Sequence, residues 1–170
     1  MILHAGLIAR RVDGLWLGVL IDGPSGAGKS DLALRAAQQG FRLVADDRVV
    51  AFLSGGRLYG RAPDTLAGLI EVRGVGVVRH DPLPFARIVL AASCAPSPDA
   101  VERIPDDATT AILGVRLPTL TIWPLEAAAP AKLTAALEHL GARAQQRYQA
   151  ASRHTAGAGG LKDPPLRHRE

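Results

Sequence analysis

Eight consecutive residues, Gly23-Pro24-Ser25-Gly26-Ala27-Gly28-Lys29-Ser30, restrict this chain more than any other stretch. They fit in full the pattern Gly, four residues, Gly-Lys-Ser/Thr, which cradles the phosphates of a nucleotide. Gly26 and Gly28 let backbone amides turn inward around an anion, Lys29 can reach between the β and γ phosphates, and Ser30 can place its hydroxyl on Mg²⁺. Such a loop works only between a strand and the N-terminus of a helix. Both neighbours are present: residues 15–21 form a short apolar run that reads as a buried strand. Residues 30–39 read as a helix with Leu32, Ala33, Leu34, Ala36 and Ala37 inward and Gly40 as its stop.

The rest of the composition agrees with an α/β domain. The chain has 170 residues, with 18 glycines, 12 prolines and few aromatics, which suits a sheet rich in tight turns better than a helical bundle. The net charge is +4, but residues 151–170 carry four Lys/Arg against two acids, so half of the excess sits in that tail and no nucleic-acid surface is expected. Cys94 is the only cysteine, which excludes an internal disulfide and a cysteine zinc site and fits a reducing compartment. Residues 1–11 lack the order of a signal peptide. No apolar run approaches the roughly 18 residues needed to span a bilayer. A cytoplasmic protein with no membrane partner is expected.

Along the chain, residues 2–9 read as a first strand that carries His4 and turns through Val12-Asp13-Gly14 into the strand before the glycine loop. Residues 41–45 form another, running straight into Asp46-Asp47. Carboxylates beyond the carboxyl end of a strand lie where an open α/β sheet binds ligands, so they can hold Mg²⁺ or orient a nucleophile; an Asp pair capping a turn is the alternative. Residues 49–53 and 57–61 flank Ser54-Gly55-Gly56 as a hairpin, which predicts a mixed sheet. Pro63-Asp64 opens a short helix or turn. In residues 71–78 glycines punctuate a strand-like run. It suits a loop with Glu71 towards Mg²⁺ and Arg73 towards a transferring phosphoryl group, or a kinked strand with exposed charges. Residues 87–92 read as a strand, 93–107 as a long surface loop containing Arg103, and 108–113 and 119–123 as strands separated by Leu117-Pro118. A helix from Pro130 to about Ala151 carries the stripe Leu133, Ala136, Leu137, Leu140. One domain over residues 1–152 and a disordered tail over 153–170 are expected.

Three segments in order, the glycine loop, Leu43-Val44-Ala45-Asp46-Asp47-Arg48-Val49 and Glu71-Val72-Arg73-Gly74-Val75-Gly76-Val77, resemble the catalytic domain of bacterial HPr kinase/phosphorylase. The resemblance runs from His4 to about Ile122. It implies a mixed sheet with flanking helices, related in its phosphate loop to phosphoenolpyruvate carboxykinase. It implies an ATP- and Mg²⁺-dependent serine kinase for HPr, the small phosphocarrier of the phosphotransferase system, together with the reverse phosphorolysis by inorganic phosphate that yields pyrophosphate. A homo-oligomer, commonly a hexamer, is implied as well. Carried over by position, His4 and Arg103 match active-site residues, Lys29 the phosphate-loop lysine, and Ser30 and Glu71 magnesium ligands. Asp47 matches the carboxylate that takes the serine proton, with Asp46 beside it and Arg73 in the Glu-Val-Arg-Gly segment.

The pattern departs from the family in three places. The chain begins a few residues before His4, which reads as a short form consisting of the catalytic core alone; the region around Pro82 to Arg87, which helps dock HPr, is compressed; and Trp123-Pro124-Leu125-Glu126-Ala127-Ala128 stands where the family carries a basic loop linked to dephosphorylation. Two other functions therefore stand beside the kinase: an ATP-sensing module without transfer, and a kinase of a small hydroxylated metabolite.

Overall fold

The computed structural model describes residues 1–103 and 106–140. Strands β1 (Ile2–Leu3), β2 (Ala5–Val12) and β3 (Leu15–Asp22) precede helix α1 (Lys29–Ala37), and β4 (Phe41–Ala45) follows it. Next come β5 (Val49–Ser54), β6 (Arg57–Arg61), β7 (Leu69–Val72), β8 (Gly76–Arg79) and β9 (Ala86–Cys94). Strands β10 (Thr109–Ile112) and β11 (Val115–Ile122) and helix α2 (Ala129–Leu140) complete the described chain, with short 3-10 turns at Asp64–Leu66 and Pro98–Ala100.

Nine strands make one mixed sheet in the order β1-β5-β6-β9-β3-β2-β4, with β11 also beside β9 and β10 paired to β11. The apolar runs of β3 and β9 lie parallel at its centre, and β11 extends the parallel set. Antiparallel β2 lies between β3 and β4, so β4 points the same way as β3. As a result the carboxyl ends of β3, β4, β9 and β11 all open at one end of the sheet, together with the start of β2. A mixed α/β fold with flanking helices was the expectation, and it is what forms.

One face of the sheet packs on α1 and α2 through Ile21, Leu32, Leu90, Ile122, Leu133 and Leu137. The other is closed by the β5–β6 hairpin curling back over it, which buries Leu7, Val44, Val49, Leu58, Ile88 and Leu117. Inside that curl, Gly60 faces Leu7, Val49 and Ile88 with no room for a side chain.

Several expectations are corrected by strand pairing. The first strand is broken at His4, because Leu3 pairs with Val49 of β5 while Ala5 pairs with Asp22 of β3; the chain changes partner at His4, which lies in a bend between strands. Leu117-Pro118 does not separate two strands but lies inside β11. Pro118 ends the antiparallel ladder with β10, opposite Thr109, and Thr119 starts the parallel ladder with β9, so the residue without an N–H sits where the partner changes. The turn is Leu113-Gly114 instead, both with positive φ. Residues 71–78 are neither a loop nor one kinked strand. They belong to a hairpin of β7 and β8, a separate two-stranded sheet turning at Gly74. The surface loop begins only after Cys94, which still pairs with Ile122. Helix α2 has the expected stripe through Leu137, and the rest of the helix predicted to residue 151, like the tail, lies outside the described residues.

Candidate functional site

The glycine loop leaves β3 at the open end of the sheet and enters α1. Gly23, Gly26 and Gly28 all have positive φ, at 153°, 80° and 100°, and Gly28 is the N-cap of α1. Space matters at two of them: a Cβ on Gly23 would stand 2.7 Å from Cys94 Cβ, and one on Gly28 3.0 Å from Leu125 Cδ2. Lys29 is buried beneath the loop, where Nζ donates to the carbonyls of Gly23 at 2.8 Å and Pro24 at 3.0 Å. A glycine loop, a helix N-terminus and an ammonium brought together have the chemistry of an anion site.

The acids stand beside it. Asp46 is buried at the end of β4, where Oδ1 accepts from Ser30 Oγ at 2.8 Å and Oδ2 from the backbone N–H of Glu71 at 3.2 Å. Asp47 occupies a left-handed conformation, φ 64°, at the centre of a tight turn closed by Arg48 N–H donating to Asp46 C=O at 2.8 Å. Asp tolerates that conformation better than most residues. The turn throws its carboxylate outward, 3.3 Å from His4 Nδ1 and 3.9 Å from Arg48 Nε. Ala5 N–H donates to Asp47 C=O at 3.1 Å, so the bend that carries His4 is tied to the turn that carries Asp47.

Of the residues singled out in the sequence, His4, Lys29, Ser30, Asp46 and Asp47 gather within this group, with Glu71 entering through its backbone N–H to Asp46. The Ser30 hydroxyl meets Asp46 and not Glu71. Arg73, in the β7–β8 turn, and Arg103 are exposed, and no hydrogen bond or ion pair among the described residues joins either to the group. Arg103 instead lines a separate concavity of about 270 Å³ with Trp123, Glu126 and Lys132. Three residues that support the loop were not singled out for that role: Cys94 under Gly23, Leu125 against Gly28, and Arg35, which donates to the carbonyls of Pro124 and Glu126. Only strand and helix pairing reveals them. Burial pushes the Cys94 thiol up to about 11, with Lys29 opposing, so it packs as a small apolar group.

Residues 3–83 match the family described as HPr Serine kinase C-terminal domain. HPr kinase/phosphorylase of Brevibacillus brevis is 51% identical over 63 residues, 36% of this chain and 20% of that protein; its namesake in Lacticaseibacillus casei is 48% identical over 68 residues, 39% and 21% of the two chains. The matched stretch thus spans about a fifth of these relatives. The solved Hpr(Ser) kinase/phosphatase from Coxiella burnetii superposes with a TM-score of 0.72 at 25% identity, covering 91% of this chain and 98% of that one.

A glycine loop of this pattern works with Mg²⁺ beside it, and the crowding of carboxylates bears on whether the donors fit. Burial raises the Asp46 carboxyl above its ordinary range, Asp47 and Glu71 raise it further, and the hydrogen bonds from Ser30 and Glu71 oppose them. Among the described residues no three His, Cys, Asp or Glu side chains are placed to hold a metal by themselves. Mg²⁺ does not need three, because it keeps waters and takes one or two carboxylates with phosphate oxygens, so Ser30, Asp46 and Glu71 fit it.

The same crowding makes Asp46 a source of pH-dependent instability. Because its folded pKa is raised, the folded state holds the proton longer. The contribution of this carboxyl is fully present below its ordinary value near 3.8 and is lost as pH rises through the folded value. Asp46→Asn can still accept from Glu71 N–H and donate to Ser30 Oγ without the charge. In urea unfolding without Mg²⁺ the variant should be more stable than wild type at neutral pH, and the gap should close in acid. A constant gap across pH would show that Asp46 carries no such cost.

Proposed function

We propose that this chain is an ATP- and Mg²⁺-dependent serine kinase acting in the cytoplasm on HPr or an HPr-like phosphocarrier. The observation that carries this is the outward carboxylate of Asp47, 3.3 Å from His4, at the same end of the sheet as the Lys29 loop. Lys29 and the loop amides hold the β and γ phosphates, and the helix N-terminus favours their charge. Ser30, Asp46 and Glu71 hold Mg²⁺, which supplies charge neutralisation on the phosphate oxygens. Asp47 accepts the proton of the substrate hydroxyl as its oxygen bonds to the γ phosphorus and the bond to ADP breaks. His4 orients the Asp47 carboxylate. The same groups would serve the reverse direction, in which phosphate attacks phosphoserine, pyrophosphate forms and a protonated Asp47 returns a proton to the serine oxygen, but residues 123–128 do not carry the basic loop linked to it.

The test is transfer of radioactive phosphate from ATP to a purified HPr-like carrier in the presence of Mg²⁺. Label on serine is expected, and Lys29→Ala should reduce it at least about 100-fold through lost charge stabilisation. ATP binding without labelling of any carrier would replace the kinase with a sensing module. ATP turnover that needs a small alcohol and no protein would make the substrate a hydroxylated metabolite.

A further inference from the structure

The parallel strands have a second end, away from the glycine loop. There the starts of β3 and β9, with β6 beside them, border a concave cavity of about 420 Å³. That size falls among small-molecule sites. Three aromatic residues line it, Trp16 from β3, Tyr59 from β6 and Phe85 just before β9. They are held in place by their neighbours. Tyr59 stacks on Phe52 with centroids 5.8 Å apart and meets Phe85 edge-on at 6.1 Å, while the Arg42 guanidinium, paired with Asp81, lies 5.9 Å from the Trp16 ring. Phe85 nevertheless leaves 53% of its surface open.

Two arginines complete the lining, and no acidic residue is part of it. Arg57 stands at the start of β6, and half-buried Arg87 lies directly across from Tyr59 in the strand register. Among the described residues neither side chain has an ion-pair or hydrogen-bond partner. Rings offer stacking area to a planar group, and a guanidinium offers a forked pair of donors to a phosphate or carboxylate. We propose that this cavity is a second binding site, separate from the 23–30 loop, for a small molecule joining a planar ring to one anionic group. The proposal does not depend on the kinase function.

The test follows the Trp16 indole N–H resonance in the isotope-labelled full chain, assigned with Trp16→Phe. The probes are phenyl phosphate, phenylacetate, benzyl alcohol and inorganic phosphate. A saturable shift is expected with the first two, at least about 10-fold weaker binding when Arg57→Gln and Arg87→Gln are combined, and weak response to the ring or the anion alone. The stronger of the two ring anions identifies the anionic group. Lys29→Ala should leave the shift intact, which separates this site from the glycine loop. No saturation, or loss of the shift in Lys29→Ala, would overturn the proposal. So would sedimentation showing self-association that Phe85→Glu abolishes, with probes binding only to the separated chain; the cavity would then belong to an interface between copies.

Discussion

Asp47→Asn is expected to slow phosphoryl transfer to the carrier by about 10²–10⁴-fold, the range set by loss of a positioned general base. The substitution keeps what Asp47 does for the fold. Asparagine tolerates φ near the observed 64° as well as aspartate, and its side-chain oxygen can still accept from His4 Nδ1. What it cannot do is take a proton. The loss should therefore fall on kcat, with ATP affinity and thermal midpoint close to wild type, because the phosphate-holding groups lie in the 23–30 loop. Asp47→Ala is a poorer probe, since alanine is strained in that conformation and the turn itself would suffer. Wild-type transfer in Asp47→Asn would remove Asp47 from the chemistry and leave the carboxylate a structural feature of the turn.

A large effect on stability is expected at Gly60→Ala, far from that chemistry. A Cβ there would stand 2.6 Å from Leu7 Cδ2, 2.8 Å from Val49 Cγ1 and 3.0 Å from Ile88 Cδ1, all of them buried. The leucine and isoleucine tips could swing aside singly, but Val49 is β-branched and the three close on the site together. Overpacking of this kind costs about 1–3 kcal/mol, against a gain of roughly 0.4–1 kcal/mol from a stiffer unfolded chain, so packing wins. The thermal midpoint should fall by several degrees, at roughly 2–4 °C per kcal/mol for a chain of this size. Adding Leu7→Ala should make the pair less destabilised than the sum of the single changes. An unchanged midpoint in Gly60→Ala would mean that the curl of β5 and β6 is looser than these contacts require.

What the sequence makes legible is whatever is written in neighbouring residues. The glycine loop, the strand before it and the helix after it are contiguous, and so are the β4 strand and its terminal acids. The Ser54–Arg57 turn is equally local, with Gly55 and Gly56 both at positive φ as a tight hairpin needs. Partner changes are not local. Nothing in the pattern of residues 2–9 tells that Leu3 answers to β5 and Ala5 to β3, although that change is what bends the chain at His4. Pro118 is misleading for a related reason: proline signals a break, and the break is in the ladder rather than in the strand. The supporting layer of the site, Cys94, Leu125 and Arg35, comes from three distant segments and carries no motif. Arg73 and Arg103 stand out on charge and resemblance, and among the described residues neither makes a hydrogen bond or ion pair to the acids.

The branching of the sheet at β9 has a mechanical meaning. Along one side β9 pairs with β3 from Arg87 to Ser93, skipping Val89, but along the other it pairs first with β6, at Ala86 and Arg87, and then with β11, from Ala91 onward. Two separate walls are therefore hung on one post. The lower wall frames the aromatic cavity, and the upper wall, with α2 behind it, backs the glycine loop. The post is one nine-residue strand, about 30 Å at the rise of an extended chain, with a bulge at Val89 where its pairing with β3 slips by one residue. Between the two openings of the molecule the post has one place to yield, the bulge at Val89, which falls between the two walls, so a twist applied at one end meets that joint before it reaches the other.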